Sequence, residues 1–517
     1  MEGNAEVLNG GCRRRRLARN GTEHFMAALE ERGLFWWHHE LLPERHFAPD
    51  TSVSGLLKID EEGRIKLELD GRLHTDKGPM SVLDHAGADL EGRRIEGILK
   101  GSNKRVLLFD LMKHGGQFSS NGLSFEGYLA MHCLIGEHPL PRTDGPMRFG
   151  EFEIDLTGLE EWMRLGSIEI SRTETTISAV HERQSNIEYA MAGGKLALNY
   201  QIYGPFLGKH RNRKVELREA AVLRRTLAEP RPLDDLRMEF GLFEDLFVLL
   251  TDCEYSLKWP SIHVKDGDTD WAYKWYFLRL RPEADPPRYY ESPTNLVQLR
   301  DRFGDIVSSW MSKREEFGPG FYLYLAVRRG MKFYPEHRFV NMIWGLEALH
   351  RKQQPDDAPT EAEAKMKAKV ARIIDQVEAA KDKKWLEKRL RNAHEPNLEQ
   401  RVFDLFSGVP IKLDSERVRA FATRCQQLRN EISHFGSQRH GHDYQKFVHE
   451  LSNMSDALAI LYHTLILHEI GIEAEILCWW IYESPVSFQR MRTLAEAGLL
   501  DPEMLKPAHG STGAKPA

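Results

Sequence analysis

Apolar and polar residues alternate along the front of the chain and recur at three- and four-residue steps toward its end. Val53–Ile59 and Arg64–Asp70 each place every second residue on one side, and Asp60-Glu61-Glu62-Gly63 between them reads as a hairpin turn. The alternation continues through Ile95–Leu99, Arg105–Phe109, Leu123–Leu134, Arg148–Leu156 and Ser167–Ile170. This predicts a mainly antiparallel β domain over residues 24–205, a sandwich or an open barrel. A mixed α/β region follows over 206–334. Amphipathic helices are expected at Leu236–Leu250 and Leu299–Trp310, and buried strands at the aromatic runs Trp271–Leu280 and Phe321–Val327. From Pro335 the period is helical: Arg338–His350, Glu361–Glu378, Lys384–Arg391, Asn397–Phe406, Glu416–Phe435 and Asp443–Glu469 predict a bundle over 335–475. Residues 476–517 carry one short helix, Phe488–Leu499, and a tail with little to bury. The fold class is α+β multidomain.

A chain of 517 residues exceeds one core, so two to four domains are expected. Its 71 basic and 77 acidic residues give a net charge of -6, which excludes a polycation; any nucleic-acid contact has to be a local basic site. The five cysteines are scattered, against both a disulfide framework and a structural zinc site. Residues 1–23 read as a disordered basic leader in which Arg13–Arg16 could touch nucleic acid; no apolar stretch follows, so it is not a signal peptide. Ala457–Ile472 is interrupted by Tyr462, His463, His468 and Glu469 and is too polar to span a bilayer. These features predict a cytoplasmic protein without a membrane partner. Nucleotide-binding glycine motifs are absent. His440-Gly441-His442 has no completing ligand, so neither a metal nor a cofactor is expected. Trp36-Trp37 beside His38-His39 reads as core packing at a first strand, with a ligand platform as the rival.

The helix over Glu416–Phe435 carries the candidate chemistry. Arg429, Asn430 and His434 place a permanent cation, a carboxamide and an imidazole near one helix end. Arg429 could neutralise a phosphodiester, while His434 could act as base on a 2'-hydroxyl or acid toward the leaving 5'-oxygen. The five-residue step from Arg429 to His434 is about 140° on a helix, so a common ligand requires His434 in a fraying last turn. One histidine does not easily serve both proton transfers, which favours a two-fold dimer that brings a second copy to the cleft. An internal 2'-hydroxyl makes RNA the substrate and needs no metal. Glu347 on the first bundle helix is the candidate to orient Arg429, and Arg424 and Arg439 are nearby cations. The rival is a helix whose polar residues face solvent or only pack.

Arg429-Asn430-Glu431-Ile432-Ser433-His434 resembles the R-N-x-x-x-H signature of the HEPN superfamily of ribonucleases and nucleotide-binding helical domains. Its opening and closing helices resemble Phe339–Glu347 and the His468–Ile472 turn. Gly55-Leu56-Leu57, Leu67–Gly71, Ile95-Glu96-Gly97, Leu134-Ile135-Gly136, the strand near Phe149 and Leu159–Trp162 resemble the N-terminal domain of ApeA-type anti-phage proteins. The resemblance implies an abortive-infection effector. Its N-terminal and middle regions would sense a phage-derived trigger or restrain the enzyme, and a C-terminal HEPN ribonuclease dimer would cut host RNA, with tRNA the expected target. By the same likeness Arg429 and His434 are the catalytic pair and Asn430 the polar residue after the arginine. The alternative is a catalytically inactive HEPN protein that binds nucleotides or RNA as a regulator or scaffold. The charged insertion over Asp356–Lys384 departs from the family pattern and could cover the cleft or contact RNA.

Overall fold

The computed structural model describes residues 28–44, 46–73, 90, 92–117, 122–142, 145–204, 215–279, 284–329, 331, 333–353, 361–391, 393, 395–433 and 441–505. The basic leader and the last residues of the tail lie outside them. The chain divides into two compact units. The first holds the chain up to Pro139 with Tyr276–Arg279, and the second holds Leu140–Trp275 and everything from Leu280 onward.

In the first unit six strands form a ring: β1 (Leu29–Trp37), β2 (Val53–Ile59), β3 (Ile65–Leu69), β4 (Ile95–Leu99), β5 (Arg105–Gln117) and β6 (Phe125–Gly136). Their order is β6-β3-β2-β1-β4-β5, and pairing of β5 with β6 closes it. Every neighbouring pair is antiparallel. The expected open or sandwiched arrangement is therefore a closed barrel. Alternation explains its filling, since Leu57, Ile59, Ile65, Leu67, Leu69, Ile95, Leu99 and Val106 all turn inward. Gly97 lies directly across the ladder from Phe35, whose ring occupies the space a Cβ would need. Trp36 and Trp37 are buried, with the Trp37 ring edge-on to Tyr128 at 6.0 Å, and His38 Nδ1 lies 3.2 Å from Glu96 Oε2. The Trp-Trp-His run is core rather than a ligand platform.

The second unit begins with strands ordered β10-β11-β12-β7-β13-β14, from β7 (Phe149–Asp155), β10 (Ile187–Met191), β11 (Gly194–Tyr203), β12 (Arg218–Arg231), β13 (Ser261–Asp266) and β14 (Thr269–Phe277), the last two residues of β14 being counted with the first unit. A separate hairpin pairs β8 (Ile168–Arg172) with β9 (Ile177–His181). The short helix α1 (Glu160–Met163) follows β7, and the long helix α2 (Leu233–Thr251) lies on the sheet. Phe243 of α2 meets Phe152 of β7 edge-on at 6.2 Å. Buried Arg225 of β12 donates from Nε to Glu239 Oε1 at 2.7 Å.

The remaining helices are α3 (Leu296–Leu299), α4 (Phe303–Lys313), α5 (Gly318–Arg328), α6 (Pro335–Gln353), α7 (Glu361–Asp375), α8 (Ala380–Leu390), α9 (Leu398–Ser407), α10 (Ser415–Ser433), α11 (Gly441–Glu469), α12 (Ala474–Tyr482) and α13 (Ser487–Glu496). One expectation fails here: Phe321–Val327 is not a strand but part of α5. Its aromatic content suits a strand, yet Phe321, Tyr324 and Leu325 are buried while Tyr322 is exposed, which is the helical three- and four-residue period. Helix α5 crosses α6 at Gly320 and Gly345, where a Cβ on either glycine would overlap the other's backbone.

A buried polar node joins the second unit's helices. At the C-terminal end of α2, Asp252 takes an ion pair from Arg328 of α5, faces His463 Nδ1 of α11 at 3.3 Å, and lies 3.9 Å from Arg490 of α13. His463 Nδ1 is also 2.6 Å from the Tyr324 hydroxyl, and its Nε2 is 2.8 Å from the Leu249 carbonyl oxygen. Burial alone would raise the Asp252 pKa, but Arg328, His463 and Arg490 outweigh it and hold the carboxyl well below its usual range. The segments read from the sequence as a middle region and a helical bundle thus meet inside one unit. Among the described residues no helix is long and apolar enough to cross a membrane. Cys133, Cys253, Cys425 and Cys478 are all free thiols.

Candidate functional site on the helix Ser415–Ser433

Helix α10 begins where the Arg417 amide donates to Asp414 Oδ1 at 3.0 Å. Val418, Phe421, Ala422, Cys425 and Leu428 recur at helical spacing and form its buried stripe, packed on α9 and α6. Arg429 stands on one edge of this stripe, about 20° around the helix from Ala422 and about 40° from Cys425. It is half-buried. Arg429 Nη1 donates to the Oδ1 of exposed Asn430 at 3.5 Å, so cation and carboxamide are neighbours near the described end of the helix.

The described helix ends at Ser433. His434 lies outside the described residues, as do Arg439, His440 and the side chain of His442. Arg424 does not join Arg429. It stands about 140° away around α10, on the opposite edge of the apolar stripe. Its Nε and Nη2 donate to Glu450 Oε1 and Oε2 of α11 at 2.5 and 2.7 Å, and its Nη1 to Glu431 Oε1 at 3.1 Å. The hydrogen bonds to Glu450, opposed by burial and aided by the charges of Glu450 and Glu431, raise the Arg424 pKa further. This arginine ties α10 to α11. Glu347 is half-buried on α6 and makes no hydrogen bond or ion pair with any described residue, Arg429 included. The orienting contact expected of it is therefore not made.

Glu450 and Glu431 were not anticipated as partners of Arg424. The seven-residue step from Arg424 to Glu431 marks one helix face and was a readable signal. Glu450 belongs to another helix, and no local spacing could have found it. The bundle also contains His350, buried on α6, whose Nε2 lies 3.3 Å from Asp404 Oδ2 of α9. Burial lowers its pKa, against the pull of Asp404.

The helical bundle follows the β strands along the chain, an α+β multidomain organisation. Residues 340–476 match the family model described as Apea-like HEPN, and residues 30–310 match ApeA N-terminal domain 1. The chain belongs to the ApeA family of anti-phage defence HEPN proteins. No curated protein and no solved structure matches it.

Proposed function

We propose that this protein is a metal-independent endoribonuclease that cuts host RNA, with tRNA the expected target, and so halts phage propagation. The observation that carries the reading is the placement of Arg429 and Asn430 side by side near the described end of α10, with His434 four residues after Asn430 in sequence. Arg429 is half-buried and contacts Asn430, so cation and carboxamide stand together where a phosphodiester would dock. It neutralises the phosphate and the charge that develops during attack. His434 removes the proton from the 2'-hydroxyl. The oxygen then attacks the neighbouring phosphorus, the bond to the 5'-oxygen breaks, and a proton goes to that leaving oxygen. The products are a 2',3'-cyclic phosphate and a 5'-hydroxyl. A second His434 from a two-fold partner supplies the proton-donating role, which makes the working enzyme a dimer. Asn430 holds a phosphate oxygen. The N-terminal and middle regions restrain this activity until a phage-derived trigger appears.

The reading is tested by inducing wild type, Arg429→Ala and His434→Ala in cells and sequencing RNA ends. New ends with 2',3'-cyclic phosphates are expected in the wild type alone, with circular dichroism unchanged in the variants. Cutting by the His434→Ala protein, or cutting abolished by chelator and restored by Mg²⁺ or Zn²⁺, would overturn it.

A further inference from the structure

Helices α7 and α8 form a hairpin between α6 and α9, within the bundle's sequence. Residues 361–391 contain ten basic and six acidic residues, a net +4 in a chain of net -6. Two of the cations are neutralised locally: Lys365 pairs with Glu361, and Lys383 with Asp375. Lys367, Lys369, Arg372, Lys381, Lys384, Lys388, Arg389 and Arg391 have no carboxylate partner among the described residues.

The arrangement on α8 is directional. Lys383, Leu386 and Leu390 are half-buried at positions i, i+3 and i+7, and they form its inner face. Lys381, Lys384, Trp385 and Lys388 fall at i, i+3, i+4 and i+7 on the outer face, and all four are exposed. Trp385 is 59% exposed. The Arg389 guanidinium carbon lies 5.7 Å from the centre of its ring, a cation on one face of the indole. No residue of α8 is buried. A solvated helix needs lysines but not a tryptophan at their centre; an apolar docking helix needs the tryptophan but not three unneutralised lysines around it.

We infer that the outer face of α8 is a platform for single-stranded RNA, with a base stacked on Trp385 and phosphates held by Lys381, Lys384 and Lys388. The four residues span about 10 Å along the helix, enough to engage successive nucleotides of one strand. Stacking tolerates any base, so the platform favours unpaired RNA such as a loop over a particular sequence. The inference deepens the ribonuclease reading by supplying a second point of contact for its substrate, yet it is measured by binding and not by cutting.

The test uses the full chain carrying His434→Ala and a fluorescein-labelled, unstructured RNA of about 20 nucleotides, with the matching duplex as a second probe. Trp385→Ala is expected to weaken single-strand binding about 5- to 150-fold, the loss of one stacked base, and to leave its salt dependence unchanged, while Trp385→Phe restores most of the affinity. Neutralising Lys381, Lys384 and Lys388 together to Gln is expected to reduce the slope of log affinity against log salt by about 2, at roughly 0.7 per phosphate. Unchanged binding in both variants overturns the inference, as does tighter binding to an acidic peptide than to the RNA, or equal affinity for the duplex. If the His434-intact chain never cuts RNA while α8 still binds it, the ribonuclease reading fails and the platform stands. If the intact chain cuts and the α8 variants bind normally, the reverse holds.

Discussion

Glu450 grips Arg424 at both ends of its guanidinium, with Nε to Oε1 at 2.5 Å and Nη2 to Oε2 at 2.7 Å. This fork joins α10 to α11 beside the candidate site without entering it. Arg424→Gln should therefore lower the melting temperature modestly, by about 1 kcal/mol of stability, because a third of the arginine remains exposed and the pair is screened. RNA cutting by the folded variant should persist. Thermal unfolding and cleavage measured on one preparation separate the two effects. Loss of cutting at full stability would place Arg424 in the site.

Gly320 and Gly345 let α5 and α6 approach backbone to backbone. Ala at either position forces the helices apart. Gly345→Ala should cost about 1–3 kcal/mol, the range for overpacking a filled contact. Chemical denaturation reads the change. An unaffected midpoint would mean that the crossing is looser than the backbone geometry requires.

His350 supplies the pH dependence. Its lowered pKa keeps it neutral in the folded chain while the unfolded chain takes up a proton below about pH 6.5. Its contribution is nil above that value, and the fold loses stability as pH falls through the window toward the lower folded-state pKa. The slope is at most about 1.4 kcal/mol per pH unit from this one group. In His350→Gln the decline that sets in below about pH 6.5 should flatten. Urea unfolding at several pH values measures it, and equal slopes in both proteins would refute the assignment.

The Asp252 node predicts what a fragment will do. A piece comprising only residues 335–505 keeps His463 but loses Asp252, Tyr324 and the Leu249 carbonyl, its hydrogen-bond and ion-pair partners among the described residues. It should fail to give a cooperative unfolding transition, whereas a piece starting at Leu140 should keep the node's members together. Calorimetry of both pieces decides the matter.

How much of this was legible in sequence depended on the range of the interaction. The β2–β3 hairpin was readable because alternation and its Asp60–Gly63 turn are local, and α11 was readable because its period persists over many turns. Phe321–Val327 has the aromatic composition of a strand but the burial period of a helix, and the period decides. Ring closure of β5 on β6 depends on long-range register, which no window of residues encodes. At the site, the motif spacing pointed to Arg429 and Asn430. It could not show that Arg424, five residues away, turns to a glutamate on another helix.

The closed ring of the first unit has a consequence for recognition. Each of its six strands has a neighbour on both sides along part of its length, while β5 runs on past β4 and beyond Leu108 is paired with β6. Where the ring is closed, a bound molecule meets side chains of the outer wall or the loops at its ends, not an open backbone edge. Those surfaces tolerate substitution far better than a backbone ladder does. Substitutions on that wall alter what the unit presents to a partner while leaving the inward-facing core of the barrel intact.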